Sequence, residues 1–158
     1  MDSMVKIYSK RANNEVQTAA ALFELSTNSS IKEQLHIEPD STFYSAGISH
    51  SYYAIFYAAT ALLLTKNIKT ESPNIHKKTY ELFMIQFVDS GILDLELFKI
   101  YSKMIVRADE LLQIFKDEKW KRGNFTYHTI PDANKLPAKE SIENAKKFVK
   151  NIMQIIEK

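Results

Sequence analysis

Residues 41–66 read STFYSAGISHSYYAIFYAATALLLTK, and from Tyr52 to Leu64 no charged residue interrupts the run. At 3.6 residues per turn its apolar side chains fall on nearly every face, the pattern of a helix surrounded by others rather than resting on a surface. The run is well short of the ~20 apolar residues that span a bilayer, so a buried core helix is expected and a membrane partner is not. Its alanines and Gly47 allow neighbouring helices to approach closely, and Asp40 or Ser41 offers a cap side chain at its start.

Upstream, Val5, Tyr8, Ala12, Val16, Ala19, Ala20 and Phe23 recur at three- and four-residue steps, which predicts a first amphipathic helix over Met4 to Leu25. Ser26 to Asp40 is rich in turn formers and reads as a connector with a short helical turn around Ile31 to Leu35. Downstream, TESPN (70–74) ends in a cap candidate, and a third helix is expected from Ile75 to Ser90, stopped by Gly91. A long fourth helix starts near Asp94 and runs to Lys121, with Leu97, Ile100, Tyr101, Met104, Ile105, Ala108, Leu111, Leu112 and Phe115 as its apolar stripe. The last runs from Pro137, suited to a first turn, to Ile156, with Ile142, Ala145, Phe148, Val149 and Ile152 facing inward. The layout is five helices in one domain, residues 1–158.

Composition agrees. With 45% apolar and 25% charged residues but only 3 Gly and 4 Pro among 158, the chain has globular character and few tight turns, so all-α is the expectation. The absence of cysteine removes disulfides, thiol nucleophiles and thiolate metal sites. It fits a cytoplasmic location, as does an N-terminal stretch without an apolar signal segment. A net charge of +2 is nearly silent about partners, because nucleic-acid affinity depends on clustered cations rather than on the total.

Phosphate loops, His-Glu-x-x-His pairs and Gly-x-Ser-x-Gly elbows do not occur. No two of His36, His50, His76 and His128 stand three or four residues apart, so no helical metal face is expected, and no cofactor. His50 reads as a hydrogen-bonded core or interface residue, His76 as a helix-start residue, and Tyr52, Tyr53 and Tyr57 as core rings whose hydroxyls find partners. The segment WKRGNFTYHTIPDANKLP (120–137) is different: it is polar, punctuated by Gly and Pro, and carries Arg122 and His128 with Asn124 between them. A guanidinium grips phosphate oxygens bidentately, and an imidazole titrates near neutral pH. Together with an amide they could serve a phosphodiester cleavage site that needs no metal. Six residues of ideal helix would set the two side chains about 120° apart, so unwinding at Gly123 or pairing across a dimer is needed to join them. Trp120 among Lys119, Lys121 and Arg122 combines an aromatic face with cations, as single-stranded RNA sites do; a helix end packed by tryptophan and basic residues has the same composition.

FYSAGISHSYYAIFYAATALLL (43–64), IHKKTYELFMIQFVDSGIL (75–93) and the close from RGNFTY (122–127) through AKESIENAKKFVKNI (138–152) together resemble the HEPN domain family, in particular its short stand-alone prokaryotic branch. The resemblance covers nearly the whole chain. It implies an up-and-down helical bundle, usually a two-fold dimer, in which ribonuclease members carry Arg, four to six residues, then His at the dimer cleft. Carried onto this chain, it implies that Arg122 holds the scissile phosphate, that His128 moves the proton of the ribose 2′-hydroxyl or of the leaving oxygen, and that Asn124 orients RNA. Tyr127, Lys121 and Trp120 would complete an RNA or nucleotide surface. The partners implied are a second copy of the chain and a nucleotidyltransferase-like antitoxin protein. The resemblance equally admits a non-catalytic member that binds a nucleotide or such a partner through the same cleft.

Overall fold

The computed structural model describes residues 2–106 and 135–158. These residues form helices α1 (Ser3–Thr27), α2 (Ser29–Gln34), α3 (Tyr44–Thr65), α4 (Ile75–Phe83, prolonged by a wider π turn over Met84–Val88), α5 (residues 95–106) and α6 (Lys135–Ile156). No strand occurs among them, and the protein is the expected all-α helical bundle. Beyond residue 106 the stripe expected of the fourth helix lies outside the described residues. No helix among the described residues is long and apolar enough to cross a membrane.

Local chemistry accounts for three of the helix ends. Asp2 caps α1 by accepting from the Met4 N–H at 3.1 Å. Asn28 does the same for α2, accepting from the Ser30 and Ile31 amides, so the expected turn appears as a six-residue helix directly after α1. Gly91, at φ 73°, takes the left-handed conformation that ends the α4 segment where expected. Two cap expectations fail. Helix α3 begins at Tyr44 and not at Ser41, with no side-chain cap at Phe43, and tertiary bonds hold the preceding loop in place. The Lys32 ammonium donates to the Pro39 carbonyl at 2.8 Å, and the Phe43 amide donates to Ser26 Oγ at 2.7 Å. Asn74 precedes α4 in the left-handed region (φ 61°) without a capping hydrogen bond.

Ser26 is a two-way tether, since its hydroxyl also donates to the Leu22 carbonyl at 2.7 Å. Ser26→Ala strands the half-buried Phe43 N–H and is expected to cost about 1–2 kcal/mol in urea unfolding followed by far-UV circular dichroism. A loss under about 0.3 kcal/mol would show that the tether contributes nothing.

Helices α1 and α3 pack antiparallel, with Phe23 on Tyr44 at one end and Tyr8 on Tyr57 at the other. Helix α3 is the central element: 14 of its 22 residues are buried, so it is enclosed on several sides, as its uncharged run requires. Helix α6 lies along it in the same direction, with Ala138 against Tyr44 and Ile48, and Ile142 beside Gly47. Helix α5 runs against α6, tied by the ion pairs Lys103–Glu140 and Lys147–Glu96. Helix α4 starts beside Tyr52 and ends beside Lys66, whose ammonium reaches the Gln86 carbonyl and sits 4.7 Å over the Phe87 ring. The connector 66–74 therefore crosses back along the bundle, through a cis Ser72–Pro73 peptide. Where α4, α5 and α6 converge, Phe83, Tyr101 and Phe148 are fully buried in mutual ring contact. Burial pushes the Tyr101 phenol well above its ordinary pKa, and its hydroxyl has no partner among the described residues.

Candidate functional site

Arg122, His128, Asn124, Tyr127, Lys121 and Trp120 lie outside the described residues. The ion pairs between α5 and α6 bring residues 106 and 135 to the same end of the bundle.

Among the described residues, chemistry-bearing side chains gather on one face built by α1, α3 and the start of α4. Tyr8 and Arg11 stand three apart on α1, and Tyr53 and Tyr57 four apart on α3, so each pair shares a helix face. Antiparallel packing then sets the pairs side by side. The Arg11 guanidinium lies 5.4 Å from the Tyr8 ring centre and 5.7 Å from that of Tyr57, within cation–π range of both. Tyr53, 40% exposed, stacks on Tyr57 at 6.0 Å and 29°. Further along α1 and α3, His50 Nδ1 meets Glu15 Oε2 at 2.5 Å, so His50 is the hydrogen-bonded interface residue expected.

His76 opens α4, as expected, and closes the aromatic face. It packs 4.2 Å from the Phe56 ring and stacks on Tyr52 at 5.6 Å, and its Nδ1 lies 2.9 Å from the Tyr52 hydroxyl. Tyr52 thus finds the partner expected of it, whereas Tyr53 stands at the surface rather than in the core. Burial pushes the His76 pKa below the usual imidazole value. Desolvation is also the main reason the Tyr57 phenol titrates high; the nearby Glu15 charge adds to it and Arg11 opposes it. Both tyrosine and histidine are therefore held neutral near pH 7, a composition suited to stacking and hydrogen bonding rather than to nucleophilic chemistry. No group of three His, Asp or Glu side chains capable of holding a metal ion occurs among the described residues.

The lowered His76 pKa has a definite sign in stability. The unfolded chain binds the proton first as pH falls through about 6.5, so the native state loses stability below that value until the folded imidazole also titrates. His76→Gln, which keeps an acceptor for Tyr52, is expected to flatten the pH dependence of the urea midpoint between about pH 5 and 6.5. An unchanged slope, or a His76 resonance titrating above the ordinary range, would contradict this.

The sequence placed Tyr8 in the apolar stripe of the first helix and Arg11 on another face, and assigned neither a functional role. Their i,i+3 spacing was the available signal, but it acquires meaning only once α3 brings Tyr57 beneath the guanidinium.

Three relatives bear on function. Over 153 residues the chain is 27% identical to the Methanocaldococcus jannaschii protein named "Putative toxin MJ0605", covering 97% of both chains. It is 31% identical over 119 residues to "Putative toxin MJ0142" of the same organism, covering 72% of this chain and 76% of that one. A shorter match, 37% over 67 residues, joins it to "UPF0332 protein PH1297" of Pyrococcus horikoshii, at 41% and 42% of the two chains. No protein-family model matches the chain.

Proposed function

Because the chain belongs to the family of the archaeal protein named "Putative toxin MJ0142", we propose that it is a toxin-like protein of the HEPN type that binds RNA and cleaves it without a metal ion. The kinship to proteins named as toxins carries this reading, and the Arg122…His128 spacing supplies its chemistry. His128 takes the proton of a ribose 2′-hydroxyl, the 2′-oxygen attacks the adjacent phosphorus, and the 5′-oxygen leaves and is protonated. The products are a 2′,3′-cyclic phosphate and a 5′-hydroxyl. Arg122 holds the phosphate and stabilises the extra negative charge that develops on it. Asn124 orients the strand, Lys121 contacts phosphate, and Trp120 and Tyr127 offer faces on which bases stack.

One feature of the bundle supports this reading: residues 106 and 135, which flank the stretch of sequence carrying Arg122 and His128, lie at the same end. Two copies related by a two-fold axis would supply the pair twice. In a cell the protein acts in the cytoplasm and is restrained by a nucleotidyltransferase-like antitoxin.

The test is cleavage of a mixed RNA by the full-length protein in excess EDTA, with product ends identified by mass. Cyclic phosphate and 5′-hydroxyl ends are expected. Nucleotide binding without cleavage would select the non-catalytic form of the family, and neither activity would sink the RNA reading.

A further inference from the structure

Antiparallel α1 and α6 leave between them an open groove of about 540 Å³, remote in sequence from Arg122 and His128. Its charged side chains are Lys6 on α1, Lys146 and Lys150 on α6, and Glu157, a local excess of two positive charges. None of the three lysines has an ion-pair partner among the described residues. On the same helix, Lys147 is paired with Glu96. Lys146 and Lys150 stand four residues apart, where like charges on a helix repel, so the groove concentrates cations at a cost that an anion would relieve.

The remaining lining is mixed. Val16, Val149 and Met153 provide apolar surface, and Asn13 and Gln154 provide amides. Ser9 adds a hydroxyl that has no partner among the described residues. Elsewhere in the bundle Ser26, Ser51, Ser102 and Ser141 each donate to the carbonyl four residues back. Ser9 departs from that pattern, but its hydroxyl oxygen is buried, so it offers the groove no exposed donor. Lysines for phosphate, apolar surface for base and ribose faces, and amides for base edges are the requirements of a nucleic-acid strand. The shape agrees: Lys6 to Val16 spans ten helical steps, about 15 Å, long enough for two or three successive phosphates of an extended strand.

We propose that the α1/α6 groove is a docking site for single-stranded RNA, in which Lys6, Lys146 and Lys150 contact successive phosphates. It rests on the reading that the protein acts on RNA. It adds a second contact region that positions the strand without taking part in cleavage.

The experiment measures binding of a fluorescent, 2′-O-methylated 12-nucleotide RNA, which cannot be cleaved through its 2′-oxygen, to the full-length protein across a salt series. In Lys6→Gln/Lys146→Gln/Lys150→Gln, loss of three phosphate contacts should lower the slope of log K against log salt by about 2 units and weaken binding roughly 100-fold at 0.1 M salt. The control Lys77→Gln/Lys78→Gln/Lys99→Gln removes the same charge from exposed positions outside the groove and should leave the slope within about half a unit. Equal losses in both triples would overturn the proposal in favour of net charge alone. Unchanged affinity in the groove triple, or a change in its oligomeric state by light scattering without a change in RNA binding, would also overturn it. Competition by millimolar inorganic phosphate or ATP at concentrations that leave the control complex intact would assign the lysines to a free phosphate ligand instead. Cleavage by the wild type that needs Arg122, together with full activity and affinity in the groove triple, would remove the groove while leaving the RNA reading standing. A wild type that neither binds nor cleaves RNA would remove both.

Discussion

Arg122→Ala and His128→Ala should each lower RNA cleavage by two to three orders of magnitude or more under single-turnover conditions. On the proposed mechanism the arginine would carry the larger electrostatic share: a positioned donor aimed at charge developing in a transition state is worth about 10²–10³ in rate. Proton transfer by a positioned imidazole contributes about 10²–10⁴. If both groups act on one transition state, as proposed, the double variant should fall little below the weaker single one. Arg122→Lys keeps the charge and loses the planar fork that grips two phosphate oxygens, so it should recover only part of the rate. Both are polar residues outside the apolar stripes of the sequence, and all variants should melt within a few degrees of the wild type. Gel-resolved cleavage of one defined RNA in EDTA decides the matter; full activity in either alanine variant would assign the chemistry elsewhere.

Phe148→Ala is expected to cost about 3–5 kcal/mol, as large-to-small changes at fully packed aromatic sites do. The ring is completely buried on α6, 5.6 Å from Phe83 of α4 and edge-on to Tyr101 of α5 at 5.7 Å and 86°. Truncation therefore opens a void shared by three helices, and none of the three can collapse into it without losing contact with the others. A domain of this size has about 5–15 kcal/mol to lose, so the variant should show a much lower urea midpoint or fail to accumulate folded. Phe148→Leu retains most of the volume and serves as the folded comparison. A loss below about 1 kcal/mol in Phe148→Ala would mean that α6 does not seat against α4 and α5 as described.

The sequence was most legible where a single helix explains itself. The uncharged run from Tyr52 to Leu64, the stripe from Ile142 to Ile152 and the stop at Gly91 all appear at their expected places, because apolar period and backbone chirality are local properties. The errors fall where a distant partner competes with a local preference. Ser41 reads as a cap, yet the loop before α3 is held by Lys32 and Ser26 from earlier in the chain. Tyr53 reads as core, yet it occupies the open edge of an aromatic face. The spacing of Arg122 and His128 was legible as a motif, but its geometry lies outside the described residues.

Sequence by itself determined that this is an all-helical domain, where most of its helices run and which of them must sit at the centre, since each follows from residue preferences within a few turns. Tertiary structure alone decided that Arg11 covers Tyr57, that the connector 66–74 crosses back so that α4 runs alongside α3 in the same direction, and that Lys6 of α1 and Lys146 and Lys150 of α6 line one groove. Such meetings depend on how helices orient and pack against one another, and no spacing within one segment encodes them.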